Sequence, residues 1–418
     1  MTKQPNIVLI LSDQHRADAM GCAGSAFVKT PHLDRLAAEG VRFANAYTPW
    51  PVCTPARASM WTGAYPHAHG IIDNVYGIDN AFAERGRIER TVFDALRDAG
   101  YRTAHFGKWH LGEAQPPFFD IWEESFNSRL GHFLDGRIDG TYRPDVQTDA
   151  SIAFLRQQAE AGDRPFVMVQ SYYPPHDPFM APARFYDPYR HRGVPFAGYY
   201  AAIGALDWNI GRILATLDET GLRRDTLVVY YSDHGETFLY RREGEHKFVC
   251  TDDAIRVPMI ASMPATVPGG AVCGKPVGLQ DLAPTMTELA GAKALSPCHG
   301  ASLWRLMLGE PEPDWRTGYY VQNLTHVSAI AQRAWTEDGW KLIASANGAH
   351  ELYNLGADPE EEWNIYRTPR PDPGFERYKH YRDYGDIIER LRARAIDYAR
   401  QIGDGEGVAL LETPYSGE

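Results

Sequence analysis

The stretch PNIVLILSDQ at residues 5–14 decides the fold. Its five consecutive aliphatic residues at 7–11 predict a strand that is buried on both faces, and a polar Asp-Gln pair follows at 13–14. Similar apolar runs lie at residues 103–106, 165–171, 226–232 and 257–262, and helix-like segments lie at residues 31–39, 92–99, 149–161, 198–220 and 281–291. This alternation predicts an α/β fold in which helices sandwich a large, mostly parallel sheet.

The C-terminal part of the chain has a different pattern. The segment 308–317 is rich in Pro, Glu and Gly, and we place a domain boundary there, near residue 315. Residues 1–315 then form the main domain, and residues 316–418 form a smaller α+β subdomain. Its predicted elements are antiparallel strands at residues 318–332 and 340–344 and a charged amphipathic helix at residues 383–401.

Composition excludes several classes of protein. The chain has 418 residues, of which 44% are hydrophobic and 23% charged, so it is neither disordered nor fibrous. A net charge of −12 argues against a nucleic-acid partner. Five widely spaced cysteines without a C-x-x-C pair predict neither a disulfide framework nor a zinc knuckle.

The apolar stretches of the chain also bear on its location. None of them approaches the roughly 18 apolar residues of a membrane span, so we expect no membrane partner. The N-terminal apolar run is shorter than a secretory signal requires. We therefore predict a cytoplasmic protein and leave homo-oligomerisation open.

Two polar pairs follow predicted strands: Asp13-Gln14 after the first and Asp233-His234 after a later one. In open α/β sheets, ligands bind beyond the carboxyl ends of the strands. A carboxylate with an amide oxygen or imidazole at two strand ends suits one divalent cation. The alternative is that each aspartate caps a following helix.

A further candidate site is centred on Cys53. Prolines surround this cysteine, and Arg57 follows four residues later. If the segment is helical, positions 53 and 57 lie on the same face, one turn apart. The guanidinium and the helix N-terminus would then both favour an anion beside Cys53.

The segment Cys53-Thr54-Pro55-Ala56-Arg57, with Thr62-Gly63, resembles the signature of the type I sulfatases of the alkaline phosphatase superfamily. The segment GYRTAHFGKWH at residues 100–110 is similar to the second signature of that family. Further similar segments lie, in chain order, at residues 6–13, 30–34, 174–178, 232–236, 256–258, 351–355 and 358–360. The resemblance implies an alkaline-phosphatase-like fold and makes residues 1–315 the catalytic sulfatase domain.

The resemblance also implies the nucleophile and the cofactors. A formylglycine-generating maturation enzyme oxidises Cys53 to formylglycine (3-oxoalanine). The hydrated aldehyde attacks a small sulfated substrate and forms a covalent sulfo-enzyme intermediate. One divalent cation is held by Asp13, Gln14, Cys53, Asp233 and His234.

Five further residues match residues that act on the substrate in this family. The resemblance implies that Arg57 and Lys108 would orient the formylglycine diol and balance its charge. His110 would take a proton when the intermediate collapses. His176 and Lys247 would bind the sulfate and help to protonate the leaving alcohol.

Two residues are candidates for substrate binding. Asn74 is similar to an asparagine that contacts the transferred group in close relatives. Lys247 lies nearer to the preceding histidine than its counterpart does in relatives, because Glu245-His246-Lys247 is compressed. Lys247 is therefore either a catalytic residue or a solvated surface lysine. In the second case His246 contacts the substrate instead.

The chain departs from the carbohydrate sulfatases at the metal ligands. Many of these enzymes have two adjacent aspartates in the first strand and Asp-Asn in the later one. Asp13-Gln14 and Asp233-His234 are more similar to choline-sulfatase-like enzymes and to phosphonate and phosphodiester hydrolases. Ca²⁺ is the expected metal, and Mn²⁺ is the alternative because an imidazole ligand favours a softer ion.

Lys108 and His110 favour a sulfate ester as the substrate, because phosphonate hydrolases typically have tyrosine and threonine at these positions. We therefore predict a metal-assisted sulfuric-ester hydrolase that cleaves a small organic or carbohydrate sulfate monoester. One alternative is a phosphonate monoester or phosphodiester hydrolase of the same superfamily. The other is a non-catalytic, sulfatase-like protein that binds anions.

Overall fold

The computed structural model describes residues 4–128, 130–137, 140–238, 246–324, 330–367 and 381–416. Eight strands form the main sheet: β1 Asn6–Asp13, β2 Val41–Tyr47, β3 Arg102–Lys108, β4 Ile121–Phe126, β5 Phe166–Pro175, β6 Thr226–Ser232, β7 Met259–Ser262 and β8 Ala271–Gly278. Four strands form a second sheet: β9 Gly318–Asn323, β10 Gln332–Glu337, β11 Trp340–Ser345 and β12 Glu351–Asn354.

The described α-helices are α1 Pro31–Ala38, α2 Cys53–Thr62, α3 Pro66–His69, α4 Ala81–Glu84, α5 Val92–Asp98, α6 Arg143–Ala161, α7 Ala197–Glu219, α8 Asp252–Ile255, α9 Leu282–Ala290, α10 Trp304–Met307, α11 Gly385–Ile402 and α12 Gly405–Leu411. Within the described ranges, no helix combines the length and the apolar character that crossing a membrane requires.

The main sheet confirms the predicted α/β architecture. Its strand order is β4-β3-β5-β1-β6-β7-β2-β8, with β1 near the centre and parallel to both neighbours. Ile7, Leu9 and Leu11 pack into one core, which α2, α5 and α9 cover, whereas Val8 and Ile10 pack into another, which α1, α6 and α7 cover. Because both faces are buried, the strand is an unbroken apolar run.

Several strand assignments needed the structure. The predicted strand at residues 257–262 corresponds to β7, which runs antiparallel to β6 and β2. Strand β2 and the edge strands β4 and β8 were not predicted, because each carries polar or charged residues and lacks an unbroken apolar run. The predicted strand at residues 318–332 is wrong as a single element, since β9 ends at Asn323 and β10 begins at Gln332.

The second sheet is antiparallel and lies between two layers. One face packs residues such as Val321 and Ile343 against Tyr47 and Ile255 of the main domain. The other face packs against the helices α11 and α12. The small sheet is thus buried on both faces, which makes it part of the scaffold around the main domain. The proposed division at residue 315 stays a prediction.

A buried ion pair connects this sheet to α12. Arg333 donates from Nε and Nη2 to the two carboxylate oxygens of Asp404, at 2.7 and 3.1 Å. Asp404 also accepts from Tyr320, from Gln322 and from the backbone N–H of Gly407, which caps the helix. Despite burial, these partners lower the pKa of Asp404 to about 2.

We predict that Asp404→Ala lowers the free energy of unfolding by about 3–5 kcal/mol, because Arg333 would remain buried without its counter-ion. Urea unfolding measures this change. The matched control is Glu412→Ala, which removes the exposed partner of Arg400 at 3.4 Å and should cost less than about 1 kcal/mol. Equal losses in the two variants would contradict the prediction.

Because the Asp404 carboxylate titrates, the loss of stability in Asp404→Ala depends on pH. Its pKa is lowered from 3.8 to about 2 in the folded protein. The stabilisation is therefore present in full above pH 3.8 and is lost as the pH falls through the folded pKa. The difference in stability between the wild type and Asp404→Ala should shrink over that range.

Candidate active site

The carboxyl ends of four neighbouring strands meet at one edge of the main sheet. They bring together polar side chains from β1, β3, β5 and β6 and from the residues that follow these strands: Asp13, Gln14, Lys108, His110, His176, Asp233 and His234. This is the edge at which open α/β sheets bind ligands.

Four buried side chains form a candidate metal centre at this edge: Asp13, Cys53, Asp233 and His234. Each offers one ligand atom, and these atoms lie within 4.8 Å of one another. His234 Nε2 is 3.2 Å from Cys53 Sγ, 3.6 Å from Asp13 Oδ1 and 3.7 Å from Asp233 Oδ1. Two carboxylates and an imidazole facing one small volume fit a divalent cation.

The two carboxyl groups have opposite pKa shifts. Burial and Cys53 raise the pKa of Asp13, but Lys108, His176 and Arg57 outweigh them, so it lies well below its ordinary value. Burial and the neighbouring Asp13 raise the pKa of Asp233. The like charges of the pair thus repel each other, and a cation between them would relieve that repulsion.

Gln14 borders the cluster. Its backbone adopts a left-handed conformation with φ of 69°. Its Oε1 accepts a hydrogen bond from Lys247 Nζ at 2.9 Å, and its Nε2 donates to Glu236. The amide oxygen therefore lies beside the candidate centre, and its role as a ligand stays a prediction.

Cys53 is the first residue of α2. Pro55, which has no N–H, lies in the first turn, where helical N–H groups have no intrahelical partner. Asn74 Oδ1 accepts one of these N–H groups, that of Thr54, at 3.1 Å. Asn74 thus holds the helix start next to Cys53, and its contact with a substrate stays a prediction.

The surroundings of Cys53 favour a negative charge there. Burial raises the pKa of its thiol, but Lys108, Lys247 and His234 outweigh burial and lower it well below its ordinary value. The same positive groups would stabilise charge on any oxygen that replaces the sulfur.

Arg57 lies one turn further along α2 and is 1% exposed. Its Nε donates to Asp233 at 3.0 Å and its Nη2 to Asp13 at 3.1 Å. Its Nη1 donates to the backbone oxygen of Lys108 at 2.6 Å and to Ser171 at 2.9 Å. This one side chain therefore holds the ends of β1, β3, β5 and β6 together.

Lys108 is directed into the site by a local irregularity in β3. The register with β4 shifts between Phe106 and Lys108. Gly107 has φ of 98°, and a Cβ atom there would lie 1.9 Å from the backbone oxygen of Ser171. Only glycine fits this close approach. The Lys108 ammonium then reaches Asp13 Oδ2 at 2.6 Å.

His110 is a buried imidazole beside Cys53. It is 2% exposed. Burial and Lys108 lower its pKa to about 4, although the neighbouring Cys53 raises it. The ring is thus neutral near pH 7 and can accept a proton.

Lys247 is buried at 5% exposure, so the alternative of a solvated surface lysine is wrong. Its Nζ is 3.3 Å from Cys53 Sγ and 3.2 Å from His176 Nε2. His246, whose side chain is 33% exposed, points its Nδ1 to Glu236 at 3.2 Å instead. The structure therefore brings Lys247 to Cys53 and leaves His246 partly exposed.

Two residues of the site were not predicted. Glu236 is fully buried and contacts both Gln14 and His246. Tyr173 lies below Lys108, with the ammonium 4.7 Å from the ring centre. The SDHGE segment contains Glu236, but its sequence does not show that the carboxylate is buried.

Comparison with known protein families shows which family this chain belongs to. A family model described as "Sulfatase" matches residues 5–292, and one described as "N-sulphoglucosamine sulphohydrolase, C-terminal" matches residues 244–379. An ulvan-active sulfatase of Formosa agariphila is 30% identical over 88% of this chain and 78% of its own length. An N-acetylglucosamine-6-O-sulfatase of Bacteroides thetaiotaomicron is 27% identical over 87% of this chain and 83% of its own length.

Two solved structures share the fold. One, in complex with its substrate D-glucosamine-2-N,6-O-disulfate, has a TM-score of 0.78 and 23% identity, and covers all of both chains. The other, a phosphonate monoester hydrolase of Agrobacterium radiobacter, has a TM-score of 0.71 and 20% identity over 93% of this chain and 96% of that one. Because the first family model spans most of the chain and a relative at 30% identity covers 88% of it, this protein belongs to the sulfatase family.

Proposed function

We propose that this sulfatase hydrolyses a sulfate monoester of a small organic alcohol or carbohydrate, with formylglycine made from Cys53 as its nucleophile. The observation that carries the proposal is the position of Cys53. It lies at a helix N-terminus, beside a cation-binding donor set, and within 3.3 Å of the Lys247 ammonium.

One divalent cation, Ca²⁺ or alternatively Mn²⁺, would be held by Asp13, Asp233, His234 and residue 53, with Gln14 beside them. When bound, the cation would supply Lewis-acid polarisation of the sulfate group. Formylglycine, as its hydrate, would supply one hydroxyl for attack on sulfur and a second for release of sulfate from the enzyme.

Arg57 and Lys108 prepare the site for negative charge. Arg57 is fixed by both carboxylates, and Lys108 lies 2.6 Å from Asp13. Neither side chain needs to rearrange when charge develops, which is the condition for effective electrostatic stabilisation. His110, whose ring is neutral near pH 7, would accept the proton of the residue-53 hydroxyl that expels sulfate.

Lys247 and His176 act on the leaving alcohol. Their nitrogens are 3.2 Å apart, so one proton can be shared between them and passed to the departing oxygen. Water restores the hydrate. The net reaction is therefore the sulfate ester plus water giving the alcohol, sulfate and a proton.

Relatives support a carbohydrate substrate. They include an ulvan-active sulfatase and an N-acetylglucosamine-6-O-sulfatase, and a structural neighbour binds a disulfated glucosamine. The fold alone does not separate this reaction from phosphonate hydrolysis, since a phosphonate monoester hydrolase shares it. Lys108 and His110 support the sulfate ester.

All five cysteines are free thiols, which supports a cytoplasmic location.

We predict that Cys53 is converted when the protein is produced together with a formylglycine-generating enzyme. The tryptic peptide 43–57 should then be lighter than its unmodified form and react with a hydrazide. The peptide that contains the buried Cys250 serves as the control and should keep its thiol. An unmodified Cys53, despite a positive control for the maturation enzyme, would contradict the proposal and favour anion binding without turnover.

The converted enzyme should hydrolyse sulfate monoesters far faster than phenylphosphonate or phosphodiesters. The test compares kcat/KM across aryl sulfates, sulfated monosaccharides and these phosphorus analogues. We expect sulfated monosaccharides to rank first. If the phosphorus esters rank first, the chain is a phosphonate or phosphodiester hydrolase instead.

His110→Gln should lower kcat by about 10²–10⁴-fold, because the acceptor for the residue-53 proton would be lost. The matched control is His105→Gln, in the strand β3 that precedes His110. His105 is also buried, but its ring stacks on Trp122 and contacts Ser125. The control should change stability without this loss of kcat in the folded enzyme. Equal loss in both variants would assign His110 a packing role only.

A further inference from the structure

Asn323, the last residue of β9 in the small sheet, contacts both segments that build the nucleophile site. Its side chain is fully buried. Oδ1 accepts a hydrogen bond from the indole Nε1 of Trp50 at 3.1 Å, and Nδ2 donates to the backbone oxygen of Phe248 at 2.5 Å. One amide thus connects two segments that lie nearly 200 residues apart in the sequence.

The first segment leads into Cys53. Trp50 is fully buried, and its backbone oxygen accepts hydrogen bonds from Val52 N and Thr48 Oγ1, both at 2.9 Å. The backbone N–H of Gln322, next to Asn323, donates to Pro49 at 2.9 Å. The end of β9 therefore holds the turn from which α2 begins.

The second segment carries Lys247. Phe248, its neighbour, has φ of 68°. A bulky residue in the left-handed region costs about 1–3 kcal/mol and persists only where surrounding groups hold it. The amide of Asn323 holds the carbonyl of this residue. The preceding residue is Lys247. Its Nζ lies 2.9 to 3.3 Å from side-chain atoms of Gln14, Cys53, His176 and His234.

We propose that Asn323 is a positioning residue for the sulfatase reaction: by holding Trp50 and Phe248 on one amide, it sets the distance between residue 53 and the Lys247 ammonium. The small sheet then influences the reaction, because Asn323 at the end of β9 holds these two segments in place. This inference rests on the proposed role of Lys247 at the leaving alcohol.

The test replaces Asn323 with leucine, which has a similar volume but neither donor nor acceptor. The Lys247 ammonium should then move, and protonation of the leaving oxygen should become less effective. Rates are measured for a series of sulfate esters whose alcohols differ in pKa. We expect little change for a good leaving group such as nitrophenol and a loss of about 10²-fold for a sugar sulfate, the size that misplacement by about 1 Å produces.

Asn364→Leu is the matched control. The side chain of Asn364 also accepts from a backbone N–H, that of Leu352 at 3.1 Å, and donates to a backbone oxygen, that of His350 at 3.2 Å. It lies beside β12, outside the contacts described for the site. This variant should keep the same dependence of rate on leaving group as the wild type.

A double-mutant cycle with Lys247→Ala separates positioning from general damage. Lys247→Ala should show the same leaving-group dependence as Asn323→Leu. In the Lys247→Ala background, Asn323→Leu should add less than about twofold, because coupled residues are non-additive. A crystal structure of Asn323→Leu should show Phe248 outside the left-handed region.

Three results would overturn the inference: a loss in Asn323→Leu that is equal for all leaving groups, additivity with Lys247→Ala, or an unmoved Phe248. If Lys247→Ala itself shows no leaving-group dependence, the proposed role of Lys247 fails, and the inference fails with it. If Asn323→Leu does not fold, Asn323→Asp replaces it, because it keeps the acceptor for Trp50 and removes the donor to Phe248.

Discussion

The site depends on the buried contact between the Arg57 guanidinium and the carboxylates of Asp13 and Asp233. Burying charges is costly unless each has a partner and its hydrogen bonds are satisfied. Arg57 meets that condition with both carboxylates and two further acceptors on β3 and β5. Removing it would leave two like charges facing each other in a volume closed to water.

This contact explains why the strand ends and α2 form one unit. The helix projects Arg57 towards the sheet and places Cys53 one turn earlier, at its own N-terminus. Lys108 and Lys247 add positive charge from two other segments. Arg57, Lys108 and Lys247 thus surround Cys53 with positive charge.

The central fold and most of the site were predictable from sequence for a physical reason. A strand buried on both faces needs an apolar run, so β1, β5 and β6 are visible in the sequence, and the polar residues that end them mark the ligand-binding edge. The edge strands β4 and β8 have one neighbour each and carry exposed polar residues. Their sequences therefore lack that signal.

The sequence by itself determined the α/β class, the family signature around Cys53 and the chemical identity of the groups at the strand ends. Only the tertiary structure decided where the long-range partners lie. Lys247 is indistinguishable in sequence from a surface lysine, and Asn323 from a polar residue at a strand end. The structure places them by contacts between segments far apart in the chain, Lys247 with Cys53, and Asn323 with Trp50 and Phe248. Local pattern encodes burial and secondary structure, whereas such contacts exist only once the chain has folded.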